Sequence, residues 1–122
     1  MHKTKMILYA EDNKLINLLT TRYLQEEGYE VISTYNGEEA LETVKRYGND
    51  LVCIVLDNDM PKLTGLEVAI ETRKILGDIN IILATGDDLT ESEFKGAGIN
   101  HYLEKPYDID ELLELINKKK EI

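Results

Sequence analysis

Short apolar runs alternate with helical apolar periods along the whole chain. Residues 5–10 (KMILYA) form an apolar run that stops abruptly at Glu11-Asp12-Asn13. Leu15, Ile16, Leu19, Tyr23 and Leu24 then recur at helical spacings, and Gly28 suits a C-terminal cap. Residues 29–35 alternate around a β-branched centre and predict a strand, followed by an Asn36-Gly37 turn. Residues 38–47 predict a second helix with Ala40, Leu41, Val44 and Tyr47 on one face, stopped by Gly48-Asn49. Residues 51–56 (LVCIVL) are apolar throughout and end at Asp57, the pattern of a strand buried on both faces. After the loop 58–65, the residues Leu66, Val68, Ala69, Ile70, Ile75 and Leu76 predict a third helix, ended by Gly77-Asp78. Residues 80–85 predict a fourth strand, 90–97 a short polar helix and 100–104 a brief fifth strand. Residues 108–119 predict the last helix, with acids at its start and Lys118, Lys119 and Lys120 at its end, as the helix dipole favours.

Strands alternating with helices in this way imply an α/β fold, a parallel sheet with helices on both faces. At 122 residues the chain is expected to be one domain spanning positions 1–122, and no repeat, linker or low-complexity segment divides it. The excess of 24 acidic over 14 basic side chains gives a net charge of −10. That balance disfavours neutralising nucleic-acid phosphates or adsorbing to an anionic membrane. Cys53 has no partner for an internal disulfide and fits a reducing compartment. No apolar stretch reaches the length of a membrane span and no signal peptide opens the chain, so the expected location is the cytoplasm.

Aligned parallel strands bring their carboxyl ends to one edge, where α/β sheets place their ligands. The residues just past the strands are Glu11 and Asp12, Asp57, Thr85 and Lys105, while the second strand offers nothing comparable. If strands one and three are neighbours, three carboxylates converge. Two such charges at about 4 Å repel by about 4 kcal/mol at an effective dielectric near 20. Either one protonates or a cation sits among them, and hard oxygen ligands with room for water favour Mg²⁺. No His or Cys stands at zinc-ligand spacing. A cation, the Lys105 ammonium and the Thr85 hydroxyl around one aspartate describe a cradle for a phosphoryl group in transfer. Asp57, at the end of the central strand, is the candidate nucleophile.

With those residues in that order, the sequence resembles the response regulator receiver domain of two-component signalling, in the manner of single-domain chemotaxis regulators. The resemblance covers nearly the whole chain and rests on Glu11-Asp12, on Asp57 followed by Met60-Pro61 and Gly65, on Thr85, and on Lys105-Pro106. It implies a flavodoxin-like (βα)₅ fold with strand order 2-1-3-4-5. It implies that Asp57 accepts a phosphoryl group from the phosphohistidine of a sensor histidine kinase or phosphotransfer protein. Mg²⁺ would be held by Asp12, Asp57 and the backbone carbonyl of Asp59, with Glu11 acting largely through water. Lys105 would pair with the phosphoryl group, its bond to Pro106 being commonly cis in such domains. Thr85 and Tyr102 would form a switch that reshapes the helix four–strand five–helix five surface where a downstream protein docks. Such a domain assists its own phosphorylation and dephosphorylation but turns over no separate substrate, and a monomer or weak dimer is expected.

Departures from the common pattern are Glu11 in place of Asp, Gly86 in place of Ala, and acids at Asp59 and Asp87 flanking the site. Those two acids bear on the approach of phosphodonors and the lifetime of the phosphorylated state. Three other readings stay open. Asp57-Asn58-Asp59 resembles the opening of haloacid-dehalogenase-type phosphatases, with Asp57 as nucleophile and Asp59 as general acid, although Pro61 stands where Thr or Val is expected. A flavodoxin of the same topology needs a phosphate loop where Glu11-Asp12 would repel phosphate. A receiver that has lost phosphorylation would act only as a docking module. Plainer roles also exist: Glu11-Asp12 as a helix cap, which Asn13 could supply instead, and Tyr102 as an ordinary packed aromatic.

Overall fold

The structure is a computed structural model, and it describes residues 5–118. Five strands form one parallel sheet: β1 (Met6–Ala10), β2 (Glu30–Thr34), β3 (Leu51–Asp57), β4 (Asn80–Thr85) and β5 (His101–Glu104). Their spatial order is β2-β1-β3-β4-β5, as the resemblance implies. The helices are α1 (Lys14–Glu26), α2 (Gly37–Tyr47), α3 (Gly65–Leu76), α4 (Glu91–Gly96) and α5 (Ile109–Asn117), and a single 3₁₀ turn (Gly48–Asp50) precedes β3.

The period-2 alternation of each strand builds two cores. Leu8, Ile54, Leu56, Ile81 and Leu83 point to the side covered by α2, α3 and α4. Ile7, Tyr9, Val55, Ile82 and Ala84 point to the side covered by α1 and α5, against Leu24, Leu112 and Ile116. Each fully buried Leu or Ile contributes about 1.5–3 kcal/mol, so the sandwich fixes the strand register that the site depends on. Within that register Ala10 pairs with Leu56, Asp57 with Ala84, and Thr85 with Glu104. The strands therefore end in line, and Glu11, Asp57, Thr85 and Lys105 leave the sheet at one edge.

Helix α1 lies with a different face inward than its apolar spacing predicts. Leu15, Ile16 and Leu19 are exposed, together with Leu18, while Asn17 and Leu24 are buried. Asn17 is held there because its amide Nδ2 donates to two backbone carbonyls, Glu11 and Thr34, each at 3.0 Å. With its partners met, the amide is tolerated in the interior, and its two bonds tie α1 to the ends of β1 and β2. Asn13 caps the helix, its Oδ1 accepting from Ile16 N–H at 3.0 Å, so the cap does not depend on Asp12, while Glu11 Oε2 accepts the Asn13 N–H at 3.1 Å.

Helix α5 stops at Asn117 with no basic residue in its last turn, and Lys118 is already extended. Lys118 nonetheless stands at the helix end as its C-cap, and Lys119 and Lys120 lie outside the described residues. Helix α4 is shorter than the 90–97 span and buries none of its residues, its first turn being held by a Thr90–Glu93 capping box. Among the described residues no helix is long and apolar enough to cross a membrane.

Candidate functional site

The site is built at the carboxyl edge of β1, β3, β4 and β5. Glu11 and Asp57 are 2% and 3% exposed, although both are carboxylic acids. One oxygen from each of Glu11, Asp12 and Asp57 lies within 4.8 Å of the others. Asp59 does not bring its carboxyl into that cluster; its backbone N–H instead donates to Asp57 Oδ1 at 3.1 Å. Lys105 enters from the end of β5, with Nζ 2.9 Å from Asp57 Oδ1 and 3.3 Å from Glu11 Oε1. The Lys105–Pro106 peptide is cis.

The two oxygens of Asp57 are in unlike states. Oδ1 takes the ammonium and the Asp59 N–H, whereas Oδ2 is buried without a hydrogen-bond partner among the described residues. A buried, unpaired carboxylate oxygen costs free energy unless something else is meant to meet it. Three carboxylates with one lysine leave a net negative pocket of hard oxygen donors. That donor set fits a hard divalent cation of the Mg²⁺ or Ca²⁺ kind.

The titrations follow from this crowding. Burial, reinforced by the charge on Asp57, pushes the Glu11 carboxyl up to about 7 against the Asn13 N–H bond and Lys105. Burial pulls the Lys105 ammonium down, but the bond to Asp57 and the charges of Asp57 and Glu11 outweigh it and hold the group above its ordinary range. Burial and the nearby Asp87 carboxyl raise Asp59, so the two acids that flank the site feel one another.

Thr85 is fully buried at the end of β4, and its Oγ1 accepts the Asp87 N–H at 3.0 Å. Tyr102, on β5, is 36% exposed. Its hydroxyl donates to the Asp87 carbonyl at 3.2 Å, and its ring stands edge-on to Phe94 of α4 with centroids 4.4 Å apart. Phe94 carries no motif and sequence reasoning passed over it. Beside Glu11 and Lys105 a groove of about 450 Å³ opens toward Ile16, Pro106, Tyr107 and Ile109. Gly65 is required where it stands: a Cβ there would lie 2.7 Å from the Asp57 carbonyl oxygen and 2.6 Å from Leu83 Cδ1.

This sheet order is that of the flavodoxin-like receiver fold, and the chain belongs to the response regulator receiver domain family, whose profile matches residues 7–117. Among curated relatives, the uncharacterized transcriptional regulatory protein YkoG of Bacillus subtilis is 38% identical over 112 residues, covering 90% of this chain and 48% of that protein. Response regulator MprA of Mycobacterium leprae is also 38% identical over 112 residues, with the same coverage of 90% and 48%. The chain thus spans about half the length of these relatives. Of solved structures, a CheY-like receiver domain protein from Methanospirillum hungatei superposes with a TM-score of 0.87 at 28% identity, covering 93% of this chain and 91% of that one. The receiver domain of Francisella response regulator 1452 superposes at 0.82 with 31% identity, covering 93% and 94%.

Proposed function

We propose that this chain is the phosphorylation-controlled switch of a two-component system, with Asp57 as the acceptor. The observation that carries the reading is the asymmetry of Asp57: Oδ1 is pinned by Lys105 and Asp59 N–H, and Oδ2 is buried and open. Asp57 Oδ2 attacks the phosphorus of a phosphohistidine. The new O–P bond forms as the P–N bond breaks, and the imidazole leaves with its electron pair and takes up a proton. Lys105 neutralises charge on the phosphoryl oxygens, and the Thr85 hydroxyl donates to one of them. Mg²⁺ held by Asp12, Asp57 and the Asp59 carbonyl, with Glu11 reaching it through water, would supply further positive charge to those oxygens. The domain takes part in its own phosphorylation and dephosphorylation without turning over a separate substrate.

The donor in this reading is a protein, a sensor histidine kinase or phosphotransfer protein. Leu15, Ile16, Leu18 and Leu19 form an exposed apolar face on α1, beside the groove that runs into the site. Apolar patches of that kind mark protein contacts. Output passes through the α4–β5–α5 surface to a docked protein as Tyr102 turns inward, and a net charge of −10 supports output without nucleic-acid contact by this chain.

The test is incubation with acetyl phosphate and Mg²⁺, read by intact mass. A single phosphate adduct that Asp57→Asn abolishes supports the reading. No adduct on the wild-type chain supports a docking module instead, and continuous phosphate release from small esters supports the dehalogenase-type reading.

A further inference from the structure

The strand that offers no site residue nonetheless touches both acidic loops. We propose that the β2–α2 turn, residues 34–37, is a strut that sets the spacing of these loops, and that Asn17 and Gly37 are positioning residues for the divalent cation. The inference rests on the metal-dependent reading above.

On one side the Thr34 carbonyl accepts the Glu11 N–H at 3.1 Å. Asn17 Nδ2 donates to the same carbonyl and to the Glu11 carbonyl, so one amide bridges the end of β2 and the start of the Glu11-Asp12 loop. Asn17 is 1% exposed, and its Oδ1 accepts from the Thr21 hydroxyl at 3.1 Å, which fixes the amide's orientation. On the other side Gly37 N–H donates to the Pro61 carbonyl at 3.2 Å. A Cβ at Gly37 would stand 2.1 Å from the Leu63 carbonyl oxygen and 2.5 Å from Leu63 Cβ. The loop after Asp57 therefore presses on the first turn of α2 at a distance that glycine alone permits. Lys62 in that loop holds a left-handed φ of 75° and pairs with Glu38 of α2 at 3.7 Å. Such a conformation in a residue with a side chain persists only where its surroundings impose it.

A small hard cation demands its oxygens in near-fixed geometry, and partners that orient the ligands are worth on the order of 10- to 100-fold in affinity. The two acidic loops hang from different strands. The β1–β3 ladder ends at the Ala10–Leu56 pair, so Glu11 and Asp12 lie beyond it on one side, and Asp59 lies beyond the Asp57–Ala84 pair that ends β3. The strut is what holds that overhang.

The experiment is calorimetric Mg²⁺ titration of the full chain, with chelator-treated samples melted in parallel. It compares wild type, Gly37→Ala, Asn17→Ala, the core control Val44→Ala and the site control Asp12→Asn. Gly37→Ala and Asn17→Ala are expected to weaken Mg²⁺ on the order of 10-fold. Val44→Ala is expected to melt earlier yet keep wild-type affinity. If Gly37→Ala does not fold, Asn17→Ala decides. Wild-type affinity in both positioning variants, or a loss no larger than that of Val44→Ala, overturns the strut while leaving the metal site standing. A wild-type chain without Mg²⁺ binding that Asp12→Asn removes overturns the reading of the site and the strut with it.

Discussion

The Tyr102 hydroxyl donates to the Asp87 carbonyl, and the N–H of that same Asp87 donates to Thr85 Oγ1. The proposed sensor and the proposed output aromatic are thus one residue apart through backbone. Drawing the Thr85 hydroxyl toward a phosphoryl group on Asp57 strains the Asp87 N–H bond and loosens the peptide that holds Tyr102 outward. Phe94, edge-on to the ring, is the other hold.

Tyr102→Phe removes the hydroxyl but keeps the ring. One hydrogen bond of this kind is worth about 0.5–1.5 kcal/mol, so the inward population should rise about 2- to 10-fold without phosphorylation. Ring chemical shifts at position 102, with and without a phosphoryl mimic, report it. Shifts for the unmodified variant that match the wild-type outward state would count against the tether.

The fold was legible because its signals are local and redundant. Residues 51–56 and 80–85 are apolar at every position but Asn80 and Thr85, and both became strands of the sheet centre. The acids and Lys105 could be placed at one edge from the parallel strands alone, whereas the strand order came with the family resemblance. What could not be read was the inward face of α1, because Leu15, Ile16, Leu18 and Leu19 make an apolar face opposite Asn17 and Leu24, and apolar content points to the wrong one. The choice was made by Asn17, a polar residue one heptad before Leu24, whose partners lie in other elements. Gly37 was legible as a turn glycine, but the close approach of Leu63 that requires it is a tertiary fact.

Lys105→Ala should slow phosphorylation while leaving Mg²⁺ binding intact or tighter. The ammonium sits 2.9 Å from Asp57 and 3.3 Å from Glu11, where it repels an incoming cation even as it neutralises the acids. Parallel measurement of Mg²⁺ affinity and acetyl phosphate labelling separates the two roles. Loss of the metal site in the variant would assign Lys105 to structure.

Glu11 makes the metal-free protein pH-sensitive in a predictable direction. Its carboxyl is raised from 4.5 to about 7, mainly by burial. Between those values the unfolded chain has lost the proton and the folded chain still holds it, so stability falls as pH rises through the window. The full shift corresponds to at most about 3 kcal/mol. Urea unfolding in chelator at about pH 5 and about pH 8 should show the decline, and Glu11→Gln should flatten it. Added Mg²⁺ should reverse the decline on the alkaline side, since it binds the ionised form.

Asp59 and Asp87 flank the mouth of the site, where burial and the neighbouring Asp87 carboxyl raise Asp59. Any donor reaching Asp57 passes this acidic pair, and a small anionic donor meets it without the binding surface that a protein donor brings. Replacing both residues with Asn should speed acetyl phosphate labelling about 5- to 10-fold at low salt, the lower end of electrostatic effects on encounter. Near 1 M salt the screening length is only about 3 Å, so the gain should shrink toward nothing if charge is the cause. A gain of equal size at both salt concentrations would mean that the pair acts by blocking space, and the charge argument would fall while the acceptor assignment stood.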